Sequence, residues 1–331
     1  MRPLLSIIIP TYNSEKFISA ALDSIERQSF RSFEVLIVDA GSIDKTKEIC
    51  ERYGDNFIFH ELKGSKQGEA RNLGIINSKA ALIMFLDSDD ELADSNVIND
   101  CINKIENTNS DFYNFSLSFY KNKKYEREIL VPDDLEIESA DEILRLGLLG
   151  KYIYTIPWNK IYKKDFLIIN DIYFPNLKEQ EDMVFVIHCC IKAAKISFLN
   201  RVIVKADIRN DSLSRNMSSV NVECCLDVFK SIQIILENEN LIEKYKKEFE
   251  IYKMRTSAYI LLMTVHRIRS NEDFWRGVRI IRKSGSLDQW KALIMITRLK
   301  KTTLLNILVA KSTILLYILR IFRNLQIVRG Y

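Results

Sequence analysis

The sequence predicts an α/β protein, a mostly parallel sheet flanked by helices, with a helical C-terminal extension. Three observations predict it. Apolar runs rich in Ile, Val, Phe and Leu occupy residues 4–9, 34–38, 56–60 and 81–86. Short runs of this composition are what strands buried on both faces require. Helix-like segments separate them, and the resulting β-α-β order implies right-handed crossovers. Finally, the polar motifs of this half follow the apolar runs, where the carboxyl ends of parallel strands gather ligands.

The elements follow in order. A helix over 15–28 starts after the capping candidates Asn13 and Ser14, one over 44–53 starts with Asp44 after Ser42, and one over 68–78 follows Gly68. Beyond residue 110 the pattern loosens. Aromatic and polar residues alternate through Phe112-Tyr113-Asn114-Phe115, and the charged stretch 121–142 reads as a solvated hairpin or loop with a helix at its end. Residues 151–214 carry a second set of candidate site residues, and 220–331 read as almost wholly helical. A domain of residues 1–215 and a helical region of residues 216–331 are therefore expected.

At 331 residues, 47% hydrophobic and 28% charged, the chain is globular rather than disordered or fibrous. Its net charge of +4 hides an asymmetry: residues 291–331 carry eight basic and no acidic residues, leaving 40 Lys and Arg against 44 Asp and Glu in the body. Six cysteines lack zinc spacing and suit no disulfide framework, and are read as buried thiols of a reducing cytoplasm. His188, among apolar residues, reads as a core histidine. Met1 leads straight into the first strand with no signal-peptide pattern, and no run of eighteen uninterrupted apolar residues occurs.

The most chemically specific segment is Phe85-Leu86-Asp87-Ser88-Asp89-Asp90. Asp87 and Asp89 can direct oxygen ligands at one hard cation, Mg2+ or Mn2+, with substrate phosphates completing its shell. A polar turn or helix cap is the competing reading. Tyr12 can stack on a pyrimidine, and Asp39 can accept the imide N–H that uracil presents; core packing and a helix cap are the alternatives. Gly41 and Gly68 allow a tight turn or close approach to a ligand. Arg71, near a helix start, can bind a nucleotide's phosphate or ribose edge, or pair with the acidic cluster at 87–90, the ligand role being preferred.

Taken together, Pro10-Thr11-Tyr12-Asn13, Asp39-Ala40-Gly41-Ser42, Gly68-Glu69-Ala70-Arg71-Asn72 and Leu86-Asp87-Ser88-Asp89-Asp90 resemble, in order and spacing, the motifs of family 2 inverting glycosyltransferases over about residues 4–215. The resemblance implies a GT-A fold and metal-dependent transfer from a nucleotide-sugar, usually a UDP-sugar. It implies donor contacts from Pro10, Thr11, Tyr12, Asp39, Gly68, Arg71, Asp87 and Ser88, with Asp89 ligating the metal and Asp87 reaching the ribose or a metal-bound water. Glu179-Gln180-Glu181-Asp182-Met183-Val184-Phe185 resembles the family's Glu-Asp-x-x-Phe motif, which makes Asp182 the candidate base. An acidic helix N-terminus is the plain alternative. Glu181 and Trp158, in Pro157-Trp158-Asn159-Lys160-Ile161-Tyr162, are the acceptor-side candidates; Trp158 offers a flat face for a sugar or packs in the core.

Two departures stand out. Ala40 replaces a common Asp, sparing Asp39, and Lys205-Ala206-Asp207-Ile208-Arg209-Asn210-Asp211-Ser212 keeps Arg209 as a diphosphate clamp but lacks the aromatic residues of many relatives.

In the tail, Leu304, Leu308, Leu315, Ile318, Phe322 and Leu325 recur at helical spacing, with Arg320 and Arg323 on another face. This suits attachment to an anionic membrane surface, or packing on the catalytic domain or a second copy. Nucleic acid is not an expected partner, given the acidic body. The combined expectation is a peripheral enzyme on the cytoplasmic membrane face acting on a lipid-linked oligosaccharide or other glycan in surface polysaccharide assembly. Two other classes compete: a non-catalytic sugar-binding or scaffold subunit, and a sugar nucleotidyltransferase, whose Gly-rich phosphate loop is missing after the first strand.

Overall fold

A computed structural model describes residues 2–121, 123–208, 219–268 and 270–285. The chain divides into two compact units, Met1–Asn176 with Glu181–Arg209, and Leu177–Gln180 with Asn210–Tyr331.

The first unit is a mixed α/β structure around one sheet. It starts with β1 (Leu5–Thr11), α1 (Ile18–Glu26), β2 (Phe33–Asp39), α2 (Thr46–Cys50), β3 (Phe57–Glu61), α3 (Gln67–Asn77) and β4 (Leu82–Phe85). These strands pair in parallel in the order β3-β2-β1-β4. Every residue of β1, β2 and β4 is buried, as expected of strands covered on both faces, but β3, at the edge of the sheet, is only partly covered and ends in the exposed Glu61. Gly74 lets α3 lie against β1, because a Cβ there would come within 2.4 Å of Ile8 Cγ2.

The second half of this unit continues with β5 (Glu91–Leu92), α4 (Val97–Glu106), β6 (Phe112–Lys121), β7 (Lys124–Ile129), β8 (Glu136–Ile137), α5 (Ala140–Leu149), β9 (Lys160–Lys163), α6 (Lys164–Ile169), α7 (Glu181–Lys192) and β10 (Ile196–Asp207). The sheet extends as β4-β9-β6-β10-β5. β9 runs antiparallel between β4 and β6, while β6 and β10 are parallel. The exposed β7, inside the charged stretch, pairs antiparallel with the largely buried β6. The sequence reading assigns no strand at β9, β10 or β5; only four residues form β9, too few for periodicity to register.

The second unit holds α8 (Ser219–Asn238), α9 (Lys246–Arg267) and α10 (Asn271–Lys283). Phe229 packs edge-on against Tyr252 across α8 and α9, at 6.0 Å between ring centroids. Gly277 admits α10 to Val222 of α8. All six cysteines are free and buried. Among the described residues, no helix is long and apolar enough to cross a membrane. The basic tail 291–331 lies outside the described residues, as does Arg209.

Candidate active site

The site is built at the carboxyl edge of β1, β2 and β4. Beyond β1, Tyr12 is 59% exposed, so core packing does not explain it and its ring is open for stacking. Thr11 is buried, and its hydroxyl has no hydrogen-bond partner. Pro10 is buried within β1. Beyond β2, the buried Asp39 takes hydrogen bonds from Gly41 N at 3.0 Å and Ser42 N at 2.7 Å, both to Oδ2, and from the Ser42 hydroxyl to Oδ1. Gly41 permits this turn with φ of +96°. These bonds close the turn after β2 rather than cap a helix, since α2 begins only at Thr46. A carboxylate has about four lone-pair sites, so acceptor capacity remains.

Side chains lace these loops together. Ser42 Oγ accepts from Asn13 N at 2.7 Å, and Asn13 Oδ1 accepts from Ile43 N at 3.0 Å. The Ser14 and Ser88 hydroxyls meet at 2.9 Å, tying the loop after β1 to the acidic segment after β4. There, carboxylate oxygens of Asp87, Asp89 and Asp90 lie within 4.8 Å of one another. Asp90 Oδ1 also accepts from Asp207 N at 3.1 Å, at the end of β10. An all-oxygen anionic set at this spacing fits a hard divalent cation such as Mg2+ or Mn2+.

Arg71 adopts the second of its two predicted roles. Its buried guanidinium donates from Nη2 to Asp87 Oδ1 at 2.9 Å and from Nη1 to Glu181 Oε1 at 3.0 Å. It also lies 5.2 Å from the Phe174 ring centroid. Each terminal nitrogen thus bonds one carboxylate, while the buried Nε has no hydrogen-bond partner. Gly68 also faces protein: a Cβ would fall 2.9 Å from Glu181 Cγ and 3.0 Å from Phe174 Cβ. Its close approach brings α3 against the start of α7.

Glu181 and Asp182 form the first turn of α7, favourable ground for anions. The preceding Gln180, at φ of +66°, turns the chain into the helix. One turn on, Phe185 stacks on Phe174 at 3.9 Å and meets Phe85 of β4 edge-on at 5.7 Å, anchoring α7 beside the end of β4. Burial raises the Asp182 carboxyl to about 7; the neighbouring Glu181 charge adds to this, while Arg71 and the Met183 N–H oppose it.

Trp158 is buried, its ring edge-on to Phe119 at 6.4 Å between centroids, which is the packing alternative of its two readings. One residue that sequence reasoning missed is Lys160. It is fully buried, and burial lowers its ammonium to about 7. Its position in the Pro157–Tyr162 motif was the available signal, but its charge suggested a surface.

Hydrogen bonds and chain neighbours therefore join the loops: Asp39 bonds Ser42, Ser42 bonds Asn13, the adjacent Ser14 bonds Ser88, and next to Ser88 Asp87 is bonded through Arg71 to Glu181, beside Asp182. Such a set can hold a flat base, a metal-bound diphosphate and a proton acceptor along one edge.

Comparison with known proteins agrees. Residues 6–168 match the family model "Glycosyl transferase family 2". Over 250 residues the chain is 30% identical to the poly(ribitol-phosphate) beta-N-acetylglucosaminyltransferase TarS of Staphylococcus aureus strain MW2, covering 73% of this chain and 42% of TarS. It thus spans about two-fifths of that relative's length. The crystal structure of S. aureus TarS 1-349 in complex with UDP-GlcNAc superposes with a TM-score of 0.60 at 22% identity, over 87% of this chain and 91% of that one. The mannosyltransferase PcManGT from Pyrobaculum calidifontis, in complex with GDP-Man and Mn2+, superposes with a TM-score of 0.54 at 13% identity, over 98% and 88%. These two likenesses establish the GT-A type of fold. Through the domain matched at residues 6–168, the chain belongs to glycosyl transferase family 2.

Proposed function

We propose that the chain is an inverting, metal-dependent glycosyltransferase that moves a sugar from a UDP-sugar to a hydroxyl of a glycan or lipid-linked acceptor in surface polysaccharide assembly. The observation that carries this reading is the bonded path from Asp39 to Glu181, which gathers acids from separate loops beside Asp182. UDP-GlcNAc is the first donor to test, since TarS 1-349 binds it.

In this reading the Tyr12 ring stacks on the uracil and the remaining lone pairs of Asp39 take its imide N–H. Pro10 shapes the base slot, and the unpartnered Thr11 hydroxyl and Ser88 face the nucleoside and diphosphate. Asp89 and Asp87 hold the cation, Mn2+ or Mg2+; when bound, it offsets charge developing on the departing diphosphate. Arg71 positions Asp87 and Glu181, and Gly68 provides the room for it. Asp182 removes the proton of the acceptor hydroxyl; a carboxyl whose proton affinity lies near neutrality is matched to that task. Trp158 supports the acceptor flank from beneath, and Arg209 closes on the diphosphate.

Residues 1–215 act as the catalytic domain and 216–331 as a second region whose basic end, 291–331, binds an anionic inner membrane surface. A nucleotide-sugar screen with Mn2+, read by mass spectrometry, tests the activity: turnover of a UDP-sugar is expected, and no turnover of any donor contradicts it. Flotation with anionic liposomes tests the attachment; unchanged flotation after deletion of 291–331 contradicts it.

A further inference from the structure

The segment between α5 and β9, residues 150–159, has no regular secondary structure yet is gathered around a single buried cation. Lys160 Nζ donates to Tyr154 O at 2.7 Å, Ile156 O at 2.8 Å and Asn159 Oδ1 at 2.7 Å. Three acceptors match the three N–H bonds of an ammonium, whereas a neutral amine has only two to give. Asn159 in turn fastens the segment to β6, donating from its amide to Phe115 O at 2.8 Å while its carbonyl accepts from Phe115 N at 2.9 Å.

The place of this knot in the sheet gives it meaning. Met84 pairs with Ile161 in an antiparallel register, so Lys160 sits level with the end of β4 at Phe85, two residues before Asp87. It lies on the flank opposite β1, β2 and β3, whose loops carry Tyr12 and Asp39. On that flank β9 packs against α7, Tyr162 meeting Phe185 edge-on at 5.4 Å between ring centroids, one turn beyond Asp182. A donor bound over β1 and β2 leaves only this side for whatever gives its proton to Asp182.

We propose that Lys160 is a positioning residue for the acceptor: by cross-linking Tyr154, Ile156 and Asn159 it holds the aromatic segment 152–158 as the wall against which an acceptor glycan lies beside Asp182. The acceptor part rests on the glycosyl-transfer reading; the pinning of the segment does not.

The test is Lys160→Met in the full chain, with two readouts. Amide hydrogen exchange should quicken at least tenfold in residues 151–159 and stay unchanged at 10–15, 39–46 and 87–90. Using UDP-GlcNAc with polyribitol phosphate and p-nitrophenyl glycosides as acceptor probes, the ratio of sugar transfer to donor hydrolysis should fall at least tenfold, with UDP affinity within threefold of wild type. Unchanged exchange in 151–159, an unchanged ratio, or a parallel loss of UDP affinity overturns the proposal. If Lys160→Met does not fold, Asn159→Ala should show the same pattern at about threefold, and its absence is equally fatal. Wild-type protein that neither binds UDP nor hydrolyses any donor refutes the glycosyl-transfer reading instead, while the exchange readout still judges the knot.

Discussion

The donor-side loops and the base-side helix reach one edge of the sheet by opposite means. Around Tyr12 and Asp39, loops whose bonded residues lie 29 and 30 positions apart are joined by backbone amides donating to side-chain oxygens, with no cation among them, and Tyr12 and Asn13 remain exposed. At Asp182, the decisive contact links Arg71 to Glu181, 110 positions away, and it buries a cation between carboxylates. The first arrangement is local and wet, so each bond contributes little net stability. In the second, every charge depends on its partner, since an unpaired buried ion is costly. Binding therefore rests on the tolerant region and proton transfer on the brittle one.

The largest contrast is expected at Asp182. Asp182→Asn should lower kcat by about 10²–10⁴-fold, the usual worth of a general base, while leaving UDP affinity within threefold. In the wild type, the rate of transfer should rise with pH through about 7, as the carboxyl loses its proton. Stability should move the other way. A carboxyl whose folded proton affinity is raised contributes stability at low pH that is lost as pH rises through its folded value. Melting curves should consequently show Asp182→Asn gaining more on the wild type at pH 8 than at pH 5. Equal activity at pH 5 and pH 8 would refute this role for Asp182.

Arg71→Met should follow, costing about 3–5 kcal/mol of stability because two buried carboxylates lose their counter-ion. In whatever fraction folds, the acid limb of the pH profile should shift upward, since Arg71 holds the Asp182 carboxyl down. A thermal shift within experimental error would mean that the brittle region is not brittle. Tyr12→Ala should weaken UDP binding by about 1–3 kcal/mol, the worth of one base stacked on a ring, with melting temperature unchanged. The smallest effect should come from Ser14→Ala, which removes the bond to Ser88 and should cost about 0.5–1.5 kcal/mol in urea unfolding.

The same contrast explains what could be read from sequence. Strands β1 to β4 and the loops after them were legible because continuous apolar runs mark buried strands and because short-range polar motifs follow each one. The first turn of α7, with Glu181 and Asp182, was legible for the same reason. Arg71 was less so. A guanidinium early in a helix looks equally suited to a phosphate or a carboxylate, and only the approach of α3 to α7 through Gly68 decides between them. Lys160 was not singled out, and for Trp158 core packing stood beside the sugar face as an open alternative. A lysine is expected at a surface and a tryptophan beside a sugar, yet both are buried, because β9 is inserted between β4 and β6 and encloses them. Insertion of a short antiparallel strand is a tertiary event with no local periodicity.

Calorimetric titration of UDP into wild type and Asp89→Ala, each with EDTA and with Mn2+, tests most directly whether the acidic loops converge on one cation beside the nucleotide. Tighter UDP binding with Mn2+ in the wild type, and no Mn2+ effect in Asp89→Ala, is the expected result. Equal UDP affinity in all four titrations would contradict it.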